Sequence, residues 1–196
     1  VAGDTTYFYR VMAVNPAGNS LPSNTASATT SADAATVNIS VGLQGSSRPA
    51  SGWVIPLTVK FFTPGDNVLT GTPVYSFNLT TSQSGSTAIA QCPNILPGDY
   101  DITAVSEHTL LNVKLNVSVA LPITDVYLDT LLEGNINNDD RINIQDFGIL
   151  TATYGKQVND PGYNAMADLD RNGLVNIQDV GLISANYNRI SPVEVP

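Results

Sequence analysis

Asn135 to Asp146 reads NINNDDRINIQD, and 33 residues later Asp168 to Asp179 reads DLDRNGLVNIQD. Both copies place Asp or Asn at positions 1, 3, 5, 9 and 12. Together with the position-7 carbonyl, these are the places from which a 12-residue loop surrounds a hard cation such as calcium with six to eight oxygens. In the second copy the ligands would be Asp168, Asp170, Asn172, the carbonyl of Leu174, Asn176 and Asp179. In the first they would be Asn135, Asn137, Asp139, the carbonyl of Arg141, Asn143 and Asp146. Position 6 must turn sharply at positive φ; Gly173 suits this, and Asp140 tolerates it less well. The second loop carries three carboxylates and the first two, so the second is expected to be the tighter of two calcium sites.

Each loop runs into a stretch of helical period, FGILTATYG after Asp146 and VGLISANYN after Asp179. Phe147, Leu150 and Tyr154, like Val180, Ile183 and Tyr187, fall at i, i+3 and i+7 and so share a face. No helix-length pattern precedes either loop, because Leu131-Leu132-Glu133-Gly134 is too short and Gly162 interrupts the approach to the second. The expected unit is therefore loop then helix, twice, joined by residues 155–167.

That arrangement over residues 131–190 resembles the dockerin family, close to its type I form. The resemblance implies a small α-helical domain folded by two calcium ions, with one helical face docking a cohesin-like domain. Partner choice in the family depends on loop positions 10 and 11, often Ser-Thr. Here they are Ile144-Gln145 and Ile177-Gln178. This departure leaves the calcium ligands intact and suits a hydrophobic contact of another kind, with another protein or within this chain.

Upstream, the sequence changes to period two. Strand signals run at Val37–Leu43, Trp53–Phe62, Pro73–Leu79, Thr87–Gln91, Asp99–Val105, Asn112–Ala120 and Asp125–Leu128, with Gly, Pro, Ser and Asn between them. Spacing of this kind predicts a β-sandwich over residues 36–130. Trp53, Ile55, Leu57, Val59 and Phe61, and Tyr100, Ile102 and Ala104, are its core-facing sets. Leu96, Pro97, Gly98, Tyr100 and Ile102 are similar to the Leu-Pro-x-Gly-x-Tyr-x-Val strand of carboxypeptidase-regulatory-like and adhesin B-type domains, which implies a prealbumin-like spacer. In residues 1–30, Tyr7, Arg10-Val11, Ala13-Val14-Asn15, Gly18 and Ser20 resemble the last two strands of a fibronectin type III domain. Residues 31–35 read as a linker and 191–196 as a tail. The expected class is thus mainly β-sandwich modules followed by a small α-helical duplicated loop–helix domain.

Charge and composition narrow the function. Eight basic against seventeen acidic residues give a net charge of −9, which disfavours nucleic acid as a partner. Only 13% of residues are charged and 42% are apolar, the balance of β-rich extracellular modules rather than of a disordered chain. The single Cys92 excludes an internal disulfide. No apolar run reaches the length of a membrane span. No nucleophile elbow, zinc motif or phosphate loop is present, and the acids cluster where ligation accounts for them. A non-enzyme is expected, docking a cohesin-like partner outside the cell. The alternative is a calcium-stabilised subunit of a self-assembling fibre or surface layer, with copies of itself as partner.

Overall fold

The chain is described over residues 3–196 by a computed structural model. In chain order the strands are β1 (Thr6–Tyr9), β2 (Val14–Asn15), β3 (Gly18–Asn19), β4 (Ala26–Thr29), β5 (Ala35–Leu43), β6 (Pro56–Phe62), β7 (Tyr75–Thr80), β8 (Ser82–Ser84), β9 (Thr87–Ile95), β10 (Gly98–Val105), β11 (Asn112–Val119), β12 (Ile123–Leu131) and β13 (Val193–Glu194). Helices α1 (Ile144–Ala152) and α2 (Ile177–Asn186) follow the two Asx-rich loops.

Period-two alternation builds the larger core. One sheet has the order β13-β11-β10-β6-β7 and the other β12-β5-β9-β8. Val37, Ile39 and Val41 of β5 face Leu57, Val59 and Phe61 of β6 and Ile102 and Ala104 of β10 within one buried cluster. The core positions expected from alternation are all there, with Trp53 at the margin, partly buried, in a short 3₁₀ turn ahead of β6. Phe61 anchors an edge-to-face group with Tyr75, Phe77 and Tyr100, the geometry aromatic quadrupoles favour. Strand β12 closes the sandwich by pairing parallel to β5, from Ile123↔Thr36 to Leu131↔Leu43. It thereby delivers the chain to the first loop.

Residues 6–29 stand apart from both sheets. β1 pairs with β4 and β2 with β3, the latter around a turn at Asn15-Pro16-Ala17-Gly18. The ladder breaks between them because Ser side chains, not a partner strand, accept the N–H groups of Val11 and Ala13. Phe8, Val11, Val14 and Leu21 are exposed.

The C-terminal third corrects the expectation of a distinct α-helical domain. Its helices are only nine and ten residues long, and loops make up most of the rest. Tyr154 and Tyr187, expected on the helical faces, lie beyond the helix ends and are exposed, while Leu150 and Ile183 are fully buried. Helices this short do not hold themselves together. What holds them is reciprocal pairing of the repeats: the chain after α1 bonds to the second loop, and the chain after α2 bonds to the first. Gly155 N–H donates to the Val175 carbonyl and Val175 N–H to that of Lys156; Ile142 N–H donates to Arg189 and Asn188 N–H to Ile142. The unit is also bonded into the sandwich. Residues read as a tail form β13, which pairs with β11, and Leu110 of the sandwich sits in the loop–helix core with Ile136, Ile142, Leu150, Leu169 and Ile183.

Candidate metal centre and docking face

Both loops share one backbone course. Positions 4 and 6 are left-handed in each, at Asn138 (φ 57°) and Asp140 (φ 64°), and at Arg171 (φ 56°) and Gly173 (φ 90°). Short Asx side chains fold back onto the main chain between these turns, as such residues do in tight loops. Asn143 Oδ1 accepts from Gln145 N–H and Asn176 Oδ1 from Gln178 N–H, both at 2.7 Å. The position-12 acids complete a capping box with these Asn residues: Asp146 Oδ2 accepts from Asn143 N–H at 2.9 Å, and Asp179 Oδ2 from Asn176 N–H at 2.8 Å. Their other oxygens reach back to position 2, Asp146 Oδ1 to Ile136 N–H at 2.7 Å and Asp179 Oδ1 to Leu169 N–H at 2.8 Å. The repeated Asn-Ile-Gln-Asp is therefore at once a loop end and a helix start.

The two loops differ in charge. Asp168, Asp170 and Asp179 are buried and offer carboxylate oxygens that all lie within 4.8 Å of one another. Burial, with the charges of Asp179 and Asp168, pushes the Asp170 carboxyl up to about 6. Burial raises Asp179 as well. Three converging buried carboxylates, in a loop whose sequence also carries Asn172, Leu174 and Asn176 at positions 5, 7 and 9, fit a hard divalent cation. The first loop presents Asn135, Asn137, Asp139, the Arg141 carbonyl, Asn143 and Asp146 in the same order. Of these, Asn135 and Asp146 are buried while Asn137 and Asp139 are exposed and bonded to each other, Asn137 Nδ2 donating to Asp139 Oδ2 at 3.0 Å.

The sandwich grips both loops through residues that no sequence pattern picks out. Arg48 Nη2 donates to Glu133 Oε1 at 2.6 Å and to the Leu169 carbonyl, inside the second loop, at 2.7 Å. The same guanidinium donates to the Gln44 and Gly52 carbonyls. Glu133 Oε2 lies 2.5 Å from His108 Nδ1, and the His108 carbonyl accepts the N–H groups of Gly134 and Asn135 at the start of the first loop. Gln44 Oε1 accepts from Glu133 N–H and from Asn186 Nδ2. Gly45, at φ +106°, lets this segment approach so closely that an added Cβ would stand 2.5 Å from the Cβ of Asp170. His108, the one histidine, is thus a buried structural partner of Glu133. Tyr163, from the inter-repeat segment, donates its hydroxyl to Asp168 Oδ2 at 2.7 Å.

At loop positions 10 and 11 the side chains diverge. Gln145 and Gln178 accept from Asn137 and Asn172 of their own loops at 3.4 and 3.2 Å. Ile144 and Ile177 instead project outward, 67% and 68% exposed at matching places in the two repeats. Beside Ile144 lies a cleft bordered by Asp139, Arg141, Tyr187 and Ile190.

The fold and site together define a β-sandwich joined to a duplicated acidic loop–helix unit. No family model and no curated protein matches the chain. Among solved structures, the chain is similar to one chain of a C-terminal interface mutant of a type II Cohesin-X-Dockerin complex from Acetivibrio cellulolyticus. The TM-score is 0.62 at 18% identity, covering 80% of this chain and 97% of that one. An N-terminal interface mutant of the type II complex from the same organism gives 0.61 at 20% identity, with the same coverages. At these identities the likeness concerns the fold. It overturns the resemblance to a free-standing type I-like dockerin module following a prealbumin-like spacer and a fibronectin type III end. The likeness is to a type II complex, the chain is mostly β with two short helices, and the repeat is bonded into the sandwich. The fibronectin-like and carboxypeptidase-regulatory-like motifs were local strand-and-turn patterns, which many β folds share.

Proposed function

We propose that the chain is a non-catalytic docking module of an extracellular protein assembly. In this reading each loop holds one calcium ion and the face bearing Ile144, Gln145, Ile177 and Gln178 meets a protein partner. The observation that carries it is the pair of isoleucines kept outside at equivalent positions while Ile136, Ile142, Leu150, Leu169, Val175 and Ile183 form a buried core beneath them. Apolar side chains displayed in register on a rigid frame are a contact surface in waiting. Calcium, when bound, supplies the central charge that draws the loop oxygens inward. The residues of the chain do the rest: the capping boxes fix each loop to its helix, and the Arg48–Glu133–His108 group fixes both loops to the sandwich. The partner class suggested by the fold likeness is one member of a cohesin–dockerin-type pair. The exposed apolar hairpin of residues 6–29 gives self-association a second, separate surface.

The test is surface plasmon resonance of the intact chain over immobilised type II cohesin and, separately, immobilised dockerin, in calcium and in chelator. Calcium-dependent binding to one surface, lost in the Ile144→Asp/Ile177→Asp double variant, is expected. A calcium-loaded chain that binds neither surface and remains monomeric by light scattering would overturn the docking reading.

A further inference from the structure

We propose that Tyr163 is a positioning residue for the second loop: its hydroxyl sets Asp168 for calcium before the ion arrives, so that this loop fills ahead of the first. The inference rests on the calcium reading above and names a second cause, beside the extra carboxylate, that makes the two sites unequal. Asp168 Oδ2 accepts from the Tyr163 hydroxyl at 2.7 Å and from Gly173 N–H at 2.8 Å. Oδ1 accepts from Asn172 N–H at 3.1 Å. With one oxygen held by two donors, the carboxylate cannot rotate freely, and Oδ1 is left to ligate.

Tyr163 is itself held. Its ring packs on the loop–helix core, its N–H donates to the Asp160 carbonyl, and the next residue, Asn164, caps the short turn Ala165–Ala167 that leads into Asp168. The first loop has no counterpart. Position 1 there is Asn135, whose Oδ1 accepts from Asp139 N–H at 3.1 Å and whose Nδ2 makes a long 3.5 Å contact with the Thr109 carbonyl. An amide nitrogen cannot accept a hydroxyl proton. The residue equivalent to Tyr163 is Thr130, which lies in β12. A hydroxyl donating to a ligating carboxylate fixes its rotamer ahead of binding, and loss of such an outer partner typically lowers metal affinity about 10- to 100-fold.

The experiment compares the intact wild-type chain with Y163F by calcium calorimetry and by tyrosine-sensitised terbium luminescence. D168N and the Y163F/D168N double variant complete a cycle. In wild type two binding steps are expected. Y163F should weaken the tighter step about 10-fold or more, leave the weaker step within about twofold, and remove most of the terbium signal from the tighter site. In the D168N background Y163F should change nothing further, whereas a merely structural role would add to D168N. Equal weakening of both steps, or no weakening, would overturn the proposal while leaving the calcium reading in place. A wild-type chain that takes up no calcium would overturn both.

Discussion

Replacing Arg48 with Met keeps the apolar stem and removes the charge. The Arg48 and Glu133 side chains are each 1% exposed and bonded at 2.6 Å, so the variant strands a buried carboxylate with only His108 beside it. It also frees the carbonyls of Gln44, Gly52 and Leu169 from their donor. Breaking a buried pair from one side costs about 3–5 kcal/mol, because the surviving charge has lost its partner in a poorly solvated place. Against a total stability of roughly 5–15 kcal/mol for a chain of ordinary stability, that is a large fraction. Urea unfolding should show a lower midpoint at unchanged slope, with the sandwich and repeat still unfolding together. Adding Glu133→Gln should restore part of the loss, since the stranded charge is then gone; a coupling of about 1–3 kcal/mol is expected. A loss under about 1 kcal/mol for Arg48→Met, or strict additivity in the double variant, would refute the claim that this group clamps the loops to the sandwich.

The position-12 acids make matching bond sets, but without calcium Asp179 sits among two other buried carboxylates, so in chelator-treated urea melts Asp146→Ala should destabilise the chain by about 2–4 kcal/mol and Asp179→Ala by less. With calcium present Asp179→Ala should lose more, because its loop carries the extra carboxylate. Asp170, raised to about 6, is harder to ionise folded than unfolded, so the metal-free chain should lose stability as pH rises from about 4 through 6. Calcium needs the ionised form, so its affinity should fall as pH drops below about 6, towards tenfold per unit, measurable by titration in buffers of stepped pH. Gly45→Ala should weaken calcium binding, because its Cβ would displace Asp170, and should lower the melting temperature through strain at positive φ. Ile144→Asp and Ile177→Asp, at exposed positions, should each change stability by less than about 0.5 kcal/mol while weakening partner binding.

The sandwich and the repeat were legible to different depths. Alternation placed the buried faces of β6 and β10 because a half-buried strand must show it, and the left-handed turns at Asp140 and Gly173 followed from loop position. Helical period overstated the helices, since Tyr154 and Tyr187 continue the apolar pattern past the point where the backbone turns away. The join between sandwich and repeat was not legible at all. Arg48, Glu133 and His108 are separated by up to 85 residues and form no motif; only the folded sandwich brings them together. For the same reason the repeat read as an independent module: sequence shows periodicity within a unit, while bonds between units leave no local trace. Tyr163 is of this kind, five residues from Asp168 yet recognisable as its partner only from the placed hydroxyl.

Calorimetric titration of the intact chain with calcium tests the central claim most directly, that the duplicated loops form a two-ion unit fixed to the sandwich. Two ions per chain are expected, the first tighter than the second, with a rise in the single unfolding transition of both parts. Fewer than two ions, or a calcium-loaded repeat that melts apart from the sandwich, would contradict it.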